Sequence, residues 1–255
     1  GFLFDSGGSS IFSESRENLL VIAGLLCSVI PEYFLAAFNN TINFQPGDIS
    51  RIPLINLESS MAREISSIVV SCRDISQEDW DSHENSWNFE VSPLLNDSSS
   101  ISDSYSSFRS RLSIQIYRLH EMEELLNRTF IGLFNLGDRL NPIVPLRDIS
   151  ISQEELDREE LIIKNEELLK LKSNVPLKID IVLKDFISYA IGCLFGRYRL
   201  DKPNLNIAHS NPSSEELSSY NHNGYNFEID DDAINPSMGS ESPFSDDIVQ
   251  RVQQF

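Results

Sequence analysis

Between Tyr105 and Leu136, apolar side chains recur at intervals of three and four residues, with one interval of seven. An α-helix has 3.6 residues per turn, so this spacing places the apolar side chains on one face. The pattern therefore predicts a long helix that packs through that face as one arm of a helical spacer. The predicted apolar face consists of Phe108, Leu112, Ile116, Leu119, Leu126, Phe130 and Leu133.

Prolines and polar turns divide most of the remaining chain into further helical segments. Pro31 lies inside an apolar run from Arg16 to Phe38, and it should kink or split that helix because proline lacks the backbone N–H. Short strands are expected at Phe2–Phe4 and Tyr220–Ile229. The expected fold class is therefore mainly α with a small β element (α+β). Further helices are predicted at Glu58–Ile75, from Ser150 or Ser152 to Lys172, at Leu177–Tyr198 and at Asp246–Phe255.

Composition and charge limit the class of protein. Of the 255 residues, 40% are hydrophobic, which is enough to fill a sizeable core. The net charge of −19 argues against the simplest form of nucleic-acid binding, because phosphate contacts need clustered Lys and Arg. Three widely spaced cysteines suit a reduced, cytoplasmic protein. The sequence contains no CxxC motif and no Cys/His cluster, so no metal site is expected. No run is long and apolar enough to span a bilayer, so no membrane partner is expected.

Residues 76–89 differ from the helical segments around them, because Trp80 and Trp87 stand in a polar and acidic sequence. We expect the two tryptophans to hold an irregular loop against neighbouring helices. Base stacking is the alternative, although the flanking acids would repel a phosphate backbone. His83, in the same loop, is expected to be an exposed polar residue. Residues 92–103, rich in Ser and Asp, are predicted to form a mobile linker.

Two turn motifs precede residue 57. Gly7-Gly8 predicts a tight turn and not a phosphate cradle, because no GxGxxG or Walker spacing surrounds it. Pro46-Gly47 predicts a polar turn, and Pro53 biases the residue before it towards an extended conformation. Asp48 is expected to bond its own turn, while contact with DNA remains the alternative.

Four groups of residues, in order along the chain, carry a family resemblance. They are FLFDSGGSSIF (2–12) with TINFQPGDI (41–49), EDWD (78–81) with SW (86–87), ISYAIGCLFGRY (187–198), and DDIV (246–249). In this order they resemble the C-terminal region of the large adenine-specific DNA methyltransferases of phage-defence systems. These are the BREX (PglX-like) enzymes and their single-chain restriction–modification relatives. The resemblance implies that residues 1–57 close a DNA target-recognition domain, that 58–136 form a helical spacer, and that 137–255 form a C-terminal helical region with an acidic polar tail.

The resemblance also implies a parent enzyme that uses S-adenosylmethionine to methylate adenine in double-stranded DNA, with other defence-system proteins as further partners. Such an enzyme needs an Asn/Asp-Pro-Pro-Tyr/Phe loop for the flipped base, and that loop does not occur in this sequence. The Asn-Pro pairs at 141, 211 and 235 lack the second proline and the aromatic residue. We therefore expect no catalytic residue and no cofactor within the chain, which opens without methionine and reads as a piece of a longer protein.

Arg197, Arg199 and Lys202 form a compact basic cluster and are the first candidates for DNA contact. The alternative is that they compensate the negative end of the preceding helix and pair with nearby acids. Asn43 and Gln45 are the second candidates, because amide side chains can bond base edges or phosphates. The rival function is a non-catalytic docking module, which would bind another protein subunit through its acidic and helical faces.

Overall fold

The computed structural model describes residues 10–38, 45–95, 100–207, 211–218, 236–239 and 241–254. The chain is mostly helical, at 58%. The helices are α1 (Arg16–Leu26), α2 (Ile30–Phe38), α3 (Pro46–Ile49), α4 (Ser59–Asp81), α5 (Ile101–Leu133), α6 (Arg158–Leu171), α7 (Ile179–Leu194), α8 (Ser214–Ser218) and α9 (Ile248–Gln254), with a 3-10 turn at Leu146–Asp148.

The helical part of the predicted fold class is confirmed, whereas its small β element is not shown. Within the described ranges, β pairing is confined to two isolated bridges, between Leu156 and Leu177 and between Arg199 and Lys202. The strands predicted at Phe2–Phe4 and Tyr220–Ile229 lie outside the described residues.

The apolar run from Arg16 to Phe38 is split into two helices, as predicted. Ser15 caps α1, because its hydroxyl accepts the Asn18 N–H at 3.2 Å. The break comes before Pro31, which is the second residue of α2, where a missing N–H removes no helical hydrogen bond. Of the described helices, none is long and apolar enough by itself to cross a membrane; α1 and α2 meet that test only as a pair, and the pair is bent by 70°.

Two compact units make up the chain. The first comprises the described residues within Gly1–Ser76, Ser113–Ser150 and Lys164–Lys172. Its core is largely aliphatic, and Ile30 and Ile65 are fully buried there. Gly24 permits close packing of α1 in this core, because a Cβ at that position would lie 2.8 Å from Val69 Cγ2. The remaining buried members are Leu25, Leu35, Ile52, Val69, Leu126, Phe130 and Ile131.

The second unit comprises the described residues within Gln77–Leu112, Ile151–Ile163 and Ser173–Phe255. An aromatic cluster lies at one part of its core. Tyr189 and Tyr198 stack with ring centroids 5.1 Å apart, and Phe89 meets both rings edge-on. Cys193 is fully buried beside them. This packing fixes the end of α7, where the predicted basic cluster begins.

Three predicted helix boundaries need correction. Helix α4 continues through the first part of the predicted loop and ends at Asp81, so Trp80 is helical. Helix α6 begins at Arg158, well after Ser152, because Asp157 Oδ1 accepts the Glu160 N–H at 3.1 Å and caps the helix there. Helix α7 ends at Leu194, four residues before the predicted end. Residues 96–99 of the predicted linker lie outside the described ranges, and Ile101–Asp103 is already the first turn of α5.

Candidate functional site

The candidate basic cluster follows the C-terminus of α7. Gly196 has φ 74°, a left-handed conformation that ends helices and that glycine adopts without steric cost. After this turn the chain reverses, and the Asn206 N–H donates to the Arg197 carbonyl at 2.8 Å. The bridge between Arg199 and Lys202 closes a second tight turn. The structure therefore brings Arg197, Arg199 and Lys202 onto one short reversed segment.

Arg199 is committed to an ion pair inside this segment. Its Nε and Nη2 donate to the two carboxylate oxygens of Asp201 at 2.7 and 2.6 Å. The Arg199 side chain is only 7% exposed. These hydrogen bonds hold the pKa of the Asp201 carboxyl below its usual range. The geometry at this residue favours pairing with a nearby acid, which was the alternative interpretation of the cluster.

Arg197 and Lys202 are the exposed members of the cluster. Arg197 Nη1 lies 3.8 Å from Glu84 Oε1, and its guanidinium carbon lies 5.7 Å from the centre of the Tyr198 ring. The distance exceeds that of a hydrogen bond, and the Arg197 side chain is 48% exposed whereas that of Glu84 is only 23% exposed. Contact of Arg197 and Lys202 with DNA stays a prediction.

The second candidate group is only partly described, since Asn43, Gly7 and Gly8 lie outside the described residues. Gln45 is exposed and stands directly before α3. Asp48 Oδ2 accepts the Gln45 N–H at 3.0 Å, so Asp48 bonds its own turn as predicted. Pro46 begins this one-turn helix, and a Cβ at Gly47 would meet no atom within 4 Å. Pro53 follows in a non-helical segment after buried Ile52.

The prediction that both tryptophans hold the loop against helices is wrong for Trp87. The Trp87 side chain is 99% exposed, and Trp80 on the last turn of α4 is 56% exposed. Phe89, at 5% exposure, is the aromatic residue that anchors this segment in the core. The loop itself is held by polar contacts, including the Ser86 hydroxyl, which donates to Asp81 Oδ1 at 2.6 Å.

His83 is not the exposed residue predicted from sequence, but part of a half-buried polar network. Its Nε2 donates to Glu155 Oε1 at 2.6 Å, and its Nδ1 lies 2.7 Å from the Asp79 carbonyl oxygen. The bond to Glu155 is the main cause that raises the pKa of His83 to about 9. Burial disfavours ionisation of Glu155, yet the His83 bond and backbone hydrogen bonds keep the pKa of that carboxyl below its usual value.

The same network fixes the turn before α6. Ser152 donates to the Asp79 carboxylate through its backbone N–H at 3.1 Å and its hydroxyl at 2.5 Å. Ser152 has φ 48°, an uncommon conformation for a residue with a side chain. Asp185 on α7 adds a third ionisable group, since its carboxylate oxygen, His83 and Glu155 offer atoms that lie within 4.8 Å of one another. No local sequence motif signals this set, because its members come from three separate segments.

Comparison with known proteins identifies relatives along most of the chain. No protein-family model matches it. The adenine-specific methyltransferase PglX of Lacticaseibacillus casei (strain Zhang) is 32% identical over 214 residues, which cover 82% of this chain and 16% of that protein. The adenine-specific methyltransferase BrxX of Escherichia coli O9:H4 (strain HS) is 28% identical over 259 residues, which cover 100% of this chain and 20% of that protein. This chain is homologous to a region of the PglX- and BrxX-type adenine-specific methyltransferases.

The resemblance inferred from short segments is thereby confirmed at the level of the family. The chain spans about a fifth or less of the length of these curated relatives.

Proposed function

We propose that the chain closes the DNA target-recognition domain and forms the helical spacer of an adenine-specific DNA methyltransferase of a phage-defence system. The observation that carries the proposal is its similarity to PglX and BrxX over 82% and 100% of its length. In this assignment the parent enzyme uses S-adenosylmethionine and acts on double-stranded DNA, while this region helps to place the DNA-reading surface.

Arg197 and Lys202 are the proposed DNA contacts, with Gln45 as a further polar contact. Both cations are exposed, and Arg197 Nη1 lies 3.8 Å from Glu84 Oε1, too far for a hydrogen bond, so the guanidinium N–H groups can donate to a phosphate. Arg199 has a different role in this proposal: its bidentate bond to Asp201 holds the turn that presents its two neighbours.

A second candidate function is supported by the charge and by Trp87. A net charge of −19 and a tryptophan that is 99% exposed suit a surface that docks another protein subunit. In this alternative the chain is a non-catalytic docking module of the defence complex. Aromatic residues are enriched at protein interfaces, whereas the acids near Trp87 would repel a phosphate backbone.

A salt titration of duplex DNA binding tests the proposed function. DNA contact through Arg197 and Lys202 predicts an affinity that falls steeply with salt, because the bound cations release counterions. The double variant Arg197→Gln/Lys202→Gln should weaken binding and reduce the salt slope by about one per lost phosphate contact.

The matched control is Arg73→Gln/Lys184→Gln, which removes two exposed cations that each pair with an acid on their own helix. Equal loss of binding in both double variants would show a general charge effect and contradict the assigned contacts. An absence of salt-dependent DNA binding by the unmodified chain would favour the docking module.

A further inference from the structure

Three segments of the second unit converge on one group of metal-binding side chains. His83 lies in the turn after α4, Glu155 in the turn before α6, and Asp185 on α7. One ligand atom from each side chain lies within 4.8 Å of the other two. Glu155 is buried, His83 is half-buried and Asp185 is exposed, so the group has a protein side and a solvent side.

The orientation of His83 suits a metal ligand. Its Nδ1 lies 2.7 Å from the Asp79 carbonyl oxygen, and a carbonyl can only accept, so Nδ1 carries the donated hydrogen. This bond directs Nε2 towards Glu155 and Asp185. A histidine that binds a metal through one nitrogen usually donates the other N–H to a carbonyl or carboxylate, which fixes the ring.

The charge around His83 favours a cation. Glu155 and Asp185 provide two carboxylates against one imidazole, and Glu84 and Glu154 add to the negative potential at Asp185. Both oxygens of the Asp79 carboxylate accept hydrogen bonds from Ser152, so we do not count Asp79 among the ligands. The Asp185 carboxylate accepts no hydrogen bond from any residue in the described ranges, so its oxygens are available to a ligand.

We propose that His83, Glu155 and Asp185 bind one Zn²⁺ ion, with solvent completing the coordination. Zinc is the fitting class because it accepts imidazole nitrogen and carboxylate oxygen in a four-coordinate site, whereas Mg²⁺ and Ca²⁺ prefer six or more oxygen ligands. Binding replaces the proton that His83 Nε2 donates to Glu155, and that proton is released to solvent. The ion would link α7 to the turns that follow α4 and precede α6. This inference is independent of the proposed DNA role.

Titration calorimetry of the metal-stripped chain with ZnCl₂ tests the site. One Zn²⁺ per chain is expected, and the same site loaded with Co²⁺ should show the visible absorption of a four-coordinate cobalt centre. The variant Asp185→Asn removes one ligand while it leaves the His83–Glu155 bond in place. Its affinity for Zn²⁺ should fall by at least about tenfold.

The matched control is Asp180→Asn, the same chemical change on the same helix at an exposed aspartate outside the group. It should bind Zn²⁺ as the unmodified chain does. Zn²⁺ should raise the melting temperatures of the unmodified chain and of Asp180→Asn. The melting temperature of Asp185→Asn should rise much less. Circular dichroism checks that both variants keep the helical content of the parent chain.

Two results would overturn the proposal. The first is that the chain binds no Zn²⁺ when the ion and the protein are present at equal concentrations. The second is equal Zn²⁺ affinity in Asp185→Asn and Asp180→Asn, which would place the ion elsewhere, for example at Cys27 and Cys72 in the first unit.

Discussion

At the scale of single residues, Gly192 is a point where the second unit tolerates no added atom. A Cβ there would lie 2.6 Å from Tyr198 Cδ2, and the Tyr198 ring is held against Tyr189 and Phe89. The ring cannot move away without disrupting the aromatic cluster, so the helix and the segment after it would have to shift.

We therefore expect Gly192→Ala to destabilise the chain by about 1–3 kcal/mol through overpacking. Gly132→Ala is the control, because a Cβ at that helical glycine meets nothing within 4 Å. Alanine is the better helix former, so the control should be neutral or stabilise by up to about 1 kcal/mol. Urea unfolding measures both, and a pair of variants with the same midpoint would contradict the close contact.

Asn127 is a buried amide that bonds the backbone of two other segments. It is 4% exposed; its Oδ1 accepts the Val29 N–H at 3.0 Å, and its Nδ2 donates to the Pro142 carbonyl at 3.2 Å. The Val29 bond supplies a partner for a backbone group in the break between α1 and α2.

Replacement by alanine would leave the Val29 and Pro142 backbone groups unsatisfied, so Asn127→Ala should cost about 1–3 kcal/mol. Arg128→Ala is the comparison on the same helix. The Arg128 side chain is 51% exposed, and its partner Glu124 keeps its hydrogen bond from the Val144 N–H, so the change should cost less than about 1 kcal/mol. Thermal and urea unfolding measure the two losses. Equal losses would mean that the polar bridge does not secure the break.

At the scale of elements, the helices could be predicted from apolar spacing, but their ends and partners could not. The 3–4 periodicity from Tyr105 to Leu136 predicts α5 because five of its seven apolar side chains are buried. The start of α6 differs from the prediction because Ser150, Ser152 and Asp157 are all possible N-caps, and Asp157 is the one that caps the helix. The residues before it instead contact distant ones: Glu155 pairs with His83, 72 residues away in sequence, and such a contact has no local signature. The sequence also predicts that Trp87 packs against helices, whereas its side chain is 99% exposed. An apolar side chain is buried only if the fold places it beside other apolar groups, and the local sequence does not show this.

Helix α5 also carries an acid in an unfavourable environment. Burial raises the pKa of Glu123 from 4.5 to about 7. Burial and then the Glu123 charge raise the pKa of the Cys27 thiol. The folded state thus keeps the Glu123 proton over a pH range in which the unfolded chain has already lost it.

The sign of the pH dependence follows from this difference. The unfolded state binds fewer protons between pH 4.5 and about 7, so the contribution of Glu123 to stability falls as the pH rises through that range. Glu123→Gln should remove this loss and raise the urea midpoint at pH 8 relative to the unmodified chain, with little change at pH 5. The control Glu121→Gln concerns an exposed acid whose pKa is lowered by Lys172, so it should not stabilise the chain at pH 8. If Glu123→Gln and Glu121→Gln change the urea midpoint at pH 8 by the same amount, burial of Glu123 is not the cause of the effect.

At the scale of the whole molecule, the acidic charge and the basic turn after α7 favour different partners. The chain contains two tryptophans, Trp80 and Trp87, and both lie in the acidic segment. A protein subunit docked on this segment would cover Trp87, whereas DNA held by Arg197 and Lys202 need not touch it. Because there are only two tryptophans, replacing one of them lets fluorescence report on the other alone.

In Trp80→Phe, all tryptophan emission comes from Trp87, and acrylamide should quench it nearly as strongly as free indole because the side chain is 99% exposed. In Trp87→Phe the remaining Trp80 is 56% exposed and should be quenched less. Duplex DNA at low salt should leave the quenching of Trp87 unchanged, because the neighbouring carboxylates repel phosphate. Protection of Trp87 by DNA, reversed by added salt, would show instead that the tryptophan stacks on bases and that the acidic segment belongs to the nucleic-acid surface.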